Sequence, residues 1–147
     1  MLRGMKINRK ASAVWNGSLK EGNGRISTDS GVLRDTQYSF STRFEDGQGT
    51  NPEELIAAAH AGCFSMALSG QLTTAGHPPE AINTTATLTM EKTDAGFTVT
   101  KIHLDVTAKV PGIDEAGFDT AANNAKAGCP ISRLLKAEIT MTATLEA

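Results

Sequence analysis

The stretch from Leu55 to Leu68 constrains this chain more than any other, because it is apolar around its whole circumference. Its residues, Leu55-Ile-Ala-Ala-Ala-His-Ala-Gly-Cys-Phe-Ser-Met-Ala-Leu68, include no Asp, Glu, Lys or Arg. A strong helix start precedes it in Thr50-Asn-Pro-Glu-Glu54. Asn51 can cap, Pro52 suits the first helical position, and Glu53 and Glu54 favour the positive end of the dipole. Ala75-Gly-His-Pro-Pro79 supplies a stop, so the spacing predicts a helix from 52 to about 74. A helix apolar on every side needs cover on every side. A chain of 147 residues has little to spare, since its other substantial helix, expected over Ile113 to Ala127, is fairly polar. The expectation is an obligate homodimer in which a mate completes the burial.

The remainder reads mostly as strands. Met5 to Trp15, Gly24 to Ser30 and Tyr38 to Phe44 are separated by glycine-bearing turns. Ala86 to Glu91 and Phe97 to Lys109 flank a Thr93-Asp-Ala-Gly96 turn and read as a hairpin. A short helix is expected after Pro130, and Ala137 to Glu146 alternates Ile139, Met141, Ala143 and Leu145 with polar partners as a half-buried strand. Strands, helix, hairpin, helix and strand make an α+β pattern, expected as a single domain over 1–147.

A net charge of −2, a pI near 5.9 and scattered basic residues remove the electrostatic case for nucleic acid. Met1 to Lys10 carries charge with no apolar core behind it, unlike a signal peptide. An apolar run of about 14 residues is expected to be too short to span a bilayer. These features point to a cytoplasmic protein with no membrane partner, where thiols stay mostly reduced and disulfides are more often catalytic than structural. Met5 serves as well as Met1 as a start.

The two cysteines occupy unlike settings. Cys63 lies inside the apolar helix, shielded and aimed. Cys129, in Ala127-Gly-Cys-Pro-Ile131, can begin a helix, where amide dipoles favour thiolate. Burial holds a thiol protonated unless a cation or donor compensates, and a lone buried cysteine also reads as a small core hydrophobe. Two such sulfurs, if adjacent, suit a cycle in which one attacks an oxidant and the other resolves it as a disulfide.

Arg43, at the end of the third expected strand, carries a guanidinium able to depress a thiol pKa and bind a peroxide oxygen, although a strand-end arginine is commonly a solvated charge. Glu53 precedes Cys63 by ten positions, about 80° around a helix, whereas Glu54 falls about 180° away. About 15 Å of rise prevents direct contact with the sulfur, so Glu53 is the better candidate for holding an arginine that does reach it. Simple dipole compensation explains both glutamates equally well. His60, three residues before Cys63, reads either as a base or as a buried neutral histidine with a backbone partner. No cysteine or histidine spacing suits a metal, and no glycine-rich phosphate loop is present.

Several segments together carry a family resemblance: Trp15-Asn-Gly17, Ser27-Thr-Asp-Ser-Gly-Val-Leu33, Phe40-Ser-Thr-Arg-Phe44, Gly49-Thr-Asn-Pro-Glu-Glu-Leu55, Ala58 to Leu68, and Lys126-Ala-Gly-Cys-Pro-Ile-Ser132. In these the chain resembles the OsmC/Ohr family, specifically its OsmC (osmotically inducible protein C) branch, over nearly its whole length. The resemblance implies a thiol peroxidase of oxidative and osmotic stress defence that reduces organic hydroperoxides. It implies Cys63 as peroxidatic cysteine, Cys129 as resolving cysteine, Arg43 as the activating arginine and Glu53 as the glutamate that orients it. It further implies curved, antiparallel-rich sheets around two central helices in an intertwined homodimer. No cofactor is implied beyond an external dithiol reductant, typically dihydrolipoyl groups. Two other readings stand beside it: a binding or redox-sensing protein using the same pocket, and a structural protein in which the disulfide staples a loop of about 66 residues for about 4 kcal/mol.

Overall fold

In the computed structural model, which describes residues 2–147, the chain divides into a unit ending at Pro52 and a unit from Glu53 to Ala147. In the first, β1 (Ala11–Asn16), β2 (Asn23–Thr28) and β3 (Thr36–Tyr38) form an antiparallel sheet in that order. The expected strand from Met5 begins only at Ala11, because Ala11 already pairs with Thr28, the last residue of β2. Gly24 faces Trp15 on one side and Tyr38 on the other, and their rings pack 5.4 Å apart, centroid to centroid. A Cβ on Gly24 would collide with both rings, so the bare backbone is what lets the aromatics close over the strand.

The segment expected as a strand from Tyr38 to Phe44 folds otherwise. Its strand ends at Tyr38, and Phe40–Phe44 is a short helix, α1. The cause is a capping box: Ser39 Oγ accepts from the Thr42 N–H at 3.2 Å, and the Ser39 N–H donates to Thr42 Oγ1 at 2.7 Å. Arg43 therefore sits in the last turn of a helix, not at a strand end.

α2 runs from Pro52 to Thr74, as the cap and stop signals predict. It ends in a Schellman motif, with Gly76 at φ +88°, its N–H on Thr73 O at 3.0 Å and the His77 N–H on Leu72 O at 2.9 Å. At 23 residues, with a mean hydropathy of 1.3, α2 is by length and composition alone long and apolar enough to cross a bilayer. The expectation that this segment is too short does not hold, because Ser, Gly, Gln and Thr carry the helix beyond the apolar run. Here one stripe, His60, Phe64, Leu68 and Leu72, is wholly buried.

That stripe belongs to the core of the second unit. β4 (Ala81–Thr93) and β5 (Gly96–Lys109) form the expected hairpin, Thr93 opposite Gly96, and β4 is longer than its apolar pattern suggests because its threonines pair along the whole of β5. Ile102, Leu104, Val106 and Ala108 alternate inward from β5. α3 (Glu115–Gly128), capped by Asp114 accepting from the Gly117 N–H at 2.7 Å, adds Phe118, Ala121, Ala122 and Ala125. Each large apolar side chain so buried stabilises by roughly 1.5–3 kcal/mol. α4 (Pro130–Leu134) leads into β6 (Glu138–Glu146), which lies parallel to β5, giving the order β4-β5-β6. The parallel pairing needs a crossover, and α3 with α4 provides it. The architecture is α+β, with one antiparallel and one mixed sheet.

Candidate active site

Cys129 occupies an elbow between two helices. Its N–H closes α3 on Ala125 O at 3.0 Å, its carbonyl accepts the Arg133 N–H at 3.1 Å to open α4, and its own φ and ψ of −60° and 133° turn the chain between them. Pro130 takes the first helical position without a wasted donor. As the cap of α4, the Cys129 sulfur, 1% exposed, accepts from the Ser132 N–H at 3.4 Å and the Ser132 hydroxyl at 3.5 Å. The expectation that this segment opens a helix holds.

Cys63 projects from the middle of α2, half-buried against the core. Both thiols are free, and they interact with each other directly. Their environments drive them apart. Burial pushes Cys63 up, the Ile131 backbone offsets this in part, and the Cys129 sulfur pushes it up further. Burial also acts to raise Cys129, but the Ser132 hydroxyl, the Ser132 N–H, the Cys63 thiol and the Ile131 backbone outweigh it and bring Cys129 below the ordinary thiol value.

His60 is wholly buried and desolvation lowers its pKa, which keeps the ring neutral. Its partner is a side chain, not backbone: Nε2 lies 2.7 Å from Ser132 Oγ. Sequence reasoning assigned Ser132 no role. The one local signal was its spacing, third after the Cys129 cap, where a helix-start partner belongs.

Glu53 is partly buried and Glu54 exposed in the first turn of α2. Arg43 lies in the other unit, where it is exposed, with its guanidinium 5.3 Å from the Phe44 ring centroid. There it lines an open apolar hollow of about 240 Å³ with Trp15, Tyr38 and Phe40 among others. Of the apolar residues close in sequence to the two sulfurs, Phe64 and Leu68 are spent wholly on the core, Met66 is 79% exposed, and Ile131 is half-buried.

Residues 45–144 match the family described as OsmC-like protein. The chain belongs to the OsmC family. It is 56% identical over 137 residues to the peroxiredoxin OsmC of Escherichia coli strain K12, covering 93% of this chain and 96% of that protein. It is 30% identical over 118 residues to the organic hydroperoxide resistance protein OhrB of Bacillus subtilis, covering 79% of this chain and 84% of that one. Among solved structures, the OsmC-like protein of Mycoplasma pneumoniae superposes with a TM-score of 0.76 at 16% identity, over 97% of this chain and all of that one. That likeness is one of fold, and it places this OsmC chain among the OsmC/Ohr structures.

Proposed function

We propose that this OsmC-family protein is a thiol-dependent peroxidase that reduces organic hydroperoxides, and hydrogen peroxide more weakly. The observation that carries the reading is the direct meeting of two free thiols, half-buried Cys63 and buried Cys129, with opposite shifts in acidity. The high identity to a peroxiredoxin supports it. Cys63 thiolate attacks the peroxide oxygen distal to the organic group; the O–O bond breaks and the departing alkoxide takes a proton to leave as alcohol. The Cys63 sulfenic acid then condenses with Cys129, forming the disulfide and releasing water. An external dithiol, most simply a dihydrolipoyl group, returns both sulfurs to thiols.

Cys63 in its own surroundings holds its proton more tightly than an ordinary thiol, so the first step calls for a cation. We assign that role to Arg43, oriented by Glu53. The protein acts as a cytoplasmic homodimer. What supports the dimer is α2: Ala58, Ala59, Gly62, Met66 and Gly70 are all exposed on a helix whose stripe of His60, Phe64, Leu68 and Leu72 is buried. Dilution followed by light scattering is expected to show dissociation only together with unfolding, and a stable, active monomer overturns the dimer.

The test of function is competition between cumene hydroperoxide and hydrogen peroxide, with a dithiol reductant. The organic peroxide is expected to be consumed preferentially by the wild type and not at all by Cys63→Ser. Preference for hydrogen peroxide removes the organic specificity, and equal consumption by Cys63→Ser removes the mechanism.

A further inference from the structure

We infer that His60 and Ser132 are positioning residues for Cys129, forming a hydrogen-bond chain that aims two donors at its sulfur and so equips it both to attack the Cys63 sulfenic acid and to leave when the disulfide is reduced. The inference rests on the peroxidase reading for the steps it names, though not for the chain of hydrogen bonds itself.

The chain joins two places far apart in sequence, His60 lying 72 residues from Ser132, which itself follows Cys129 by three. All three are buried: His60 is 0%, Ser132 7% and Cys129 1% exposed. The Ser132 hydroxyl has a single hydrogen, and its geometry directs it to Cys129 Sγ at 3.5 Å. In the inferred chain His60 Nε2, 2.7 Å from Ser132 Oγ, carries the ring proton and donates it to that oxygen. This assigns the tautomer and leaves Nδ1 as a bare acceptor, and Nδ1 has no partner among the described residues. A buried nitrogen without a partner disfavours the fold, and a leucine in that place would pack without the penalty. What the histidine provides instead is a polarised donor behind Ser132. With the Ser132 N–H at 3.4 Å, two hydrogens converge on one sulfur. Donors to a sulfur favour its thiolate, and burial leaves them unscreened.

Both steps then follow. In resolution, the Cys129 thiolate attacks Cys63 Sγ, the S–S bond forms, the S–O bond breaks, and the departing hydroxide takes a proton to become water. In reduction, one thiolate of the external dithiol attacks Cys63 Sγ, the S–S bond breaks, and its electron pair leaves on Cys129. The second thiol of the reductant, as thiolate, attacks the reductant's own sulfur in the mixed disulfide and releases Cys63 as thiolate; the reductant leaves oxidised to its own disulfide, its two electrons having passed to the protein sulfurs. A leaving sulfur of lower pKa departs faster, so the same donors that prepare Cys129 for attack direct the reductant to Cys63.

Two measurements test this. The first is the ultraviolet titration of Cys129 thiolate in a Cys63→Ser background, which needs no peroxidase activity. Adding Ser132→Ala is expected to raise the midpoint by about one unit, as the loss of one hydrogen bond to a charged group predicts. Ser132→Thr, which keeps the hydroxyl, should restore it, and His60→Gln, which keeps a donor, should shift it less than His60→Leu. The second is single-turnover kinetics with Cys63 present. Ser132→Ala is expected to slow disulfide formation about tenfold, a larger loss than in sulfenic acid formation. An unchanged Cys129 midpoint in folded Ser132→Ala, or a Ser132→Thr that behaves like Ser132→Ala, overturns the inference. A purely structural role lowers the unfolding midpoint of these variants without moving the titration. Should the wild type form no sulfenic acid, the peroxidase reading fails, while the titration still decides the role of the two residues.

Discussion

The two cysteines meet from opposite kinds of backbone, and the contrast reverses a common intuition about burial. Cys63 sits in the middle of a long helix, where every nearby amide is already committed to the helical ladder. Cys129 sits between two helices, where amides are uncommitted, and Ser132 turns both its N–H and its hydroxyl to the sulfur. Cys129 is the more deeply buried, yet it is the one brought below the ordinary thiol value, while half-buried Cys63 is pushed above it. Donor supply, not exposure, separates the two. A mid-helix sulfur must have its charge balanced from outside its own helix, whereas a sulfur at a helix junction carries its balance with it.

The severest way to break this comparison is to remove each sulfur in turn. Cys63→Ser is expected to abolish peroxide consumption, whereas Cys129→Ser should allow one turnover and leave a sulfenic acid that dimedone labels. Mass measurement locates the label, and dimedone found only on Cys129 in the wild type would exchange the two roles. Next comes the outside charge. Arg43→Ala should slow alkylation and peroxide attack at Cys63 by about tenfold to thousandfold, the effect of one neighbouring charge on a pKa. Arg43→Lys should recover part of this, since the planar fork is lost. Glu53→Ala should reproduce the loss more weakly and Glu54→Ala hardly at all, and equal effects from the two glutamates refute the choice of helical face.

A smaller effect separates the thiols through stability. In Cys129→Ser that also carries Arg43→Ala, the remaining Cys63 keeps only its own surroundings and has a folded pKa above its unfolded one, with burial the first cause. The folded state then holds its proton longer, so stability is full below about 8.5, the ordinary thiol value, and falls as pH rises beyond it. In Cys63→Ser, Cys129 has a lowered folded pKa, so stability is full above about 8.5 and falls as pH descends through the folded value. Urea midpoints across pH should therefore slope in opposite directions, and parallel slopes would show that the two settings do not differ. The smallest expected effect is at Gly62, beside Cys63, where an added Cβ meets nothing within 4 Å. Gly62→Ala should stabilise by up to about 1 kcal/mol if that face is open. A loss of stability instead would mean that a second copy packs closely there, and calorimetry distinguishes the two.

Much of this was legible along the chain. The bounds of α2 were written in Asn51, Pro52 and the two glutamates at one end and Gly76 at the other, because caps and stops are local chemistry. The hairpin at Thr93 to Gly96 was legible for the same reason. Residues 38–44 misled because Tyr38, Phe40, Thr42 and Phe44 alternate as a strand would, while the decision lay in two hydroxyls, those of Ser39 and Thr42. Both sulfurs stood out, yet the link from His60 through Ser132 to Cys129 did not. It joins the middle of one helix to the start of another, and no spacing within either segment encodes that meeting. The parallel course of β6 was hidden likewise, since alternation marks a strand without naming its neighbour.

That parallel course has a consequence for how the molecule comes together. β5 is the central strand, but β6 reaches it only after α3 and α4 have been laid across the sheet. Until then the hairpin of β4 and β5 presents a bare edge nine residues long, from Lys101 to Lys109, with Ile102, Leu104, Val106 and Ala108 awaiting cover on one face. An unpaired, alternating edge of this kind is a template for pairing with other chains. Docking of the crossover is thus the step at which refolding is expected to compete with aggregation. Substitutions that weaken the α3 cap at Asp114 should lower the yield of refolded protein more than they lower the stability of what does fold.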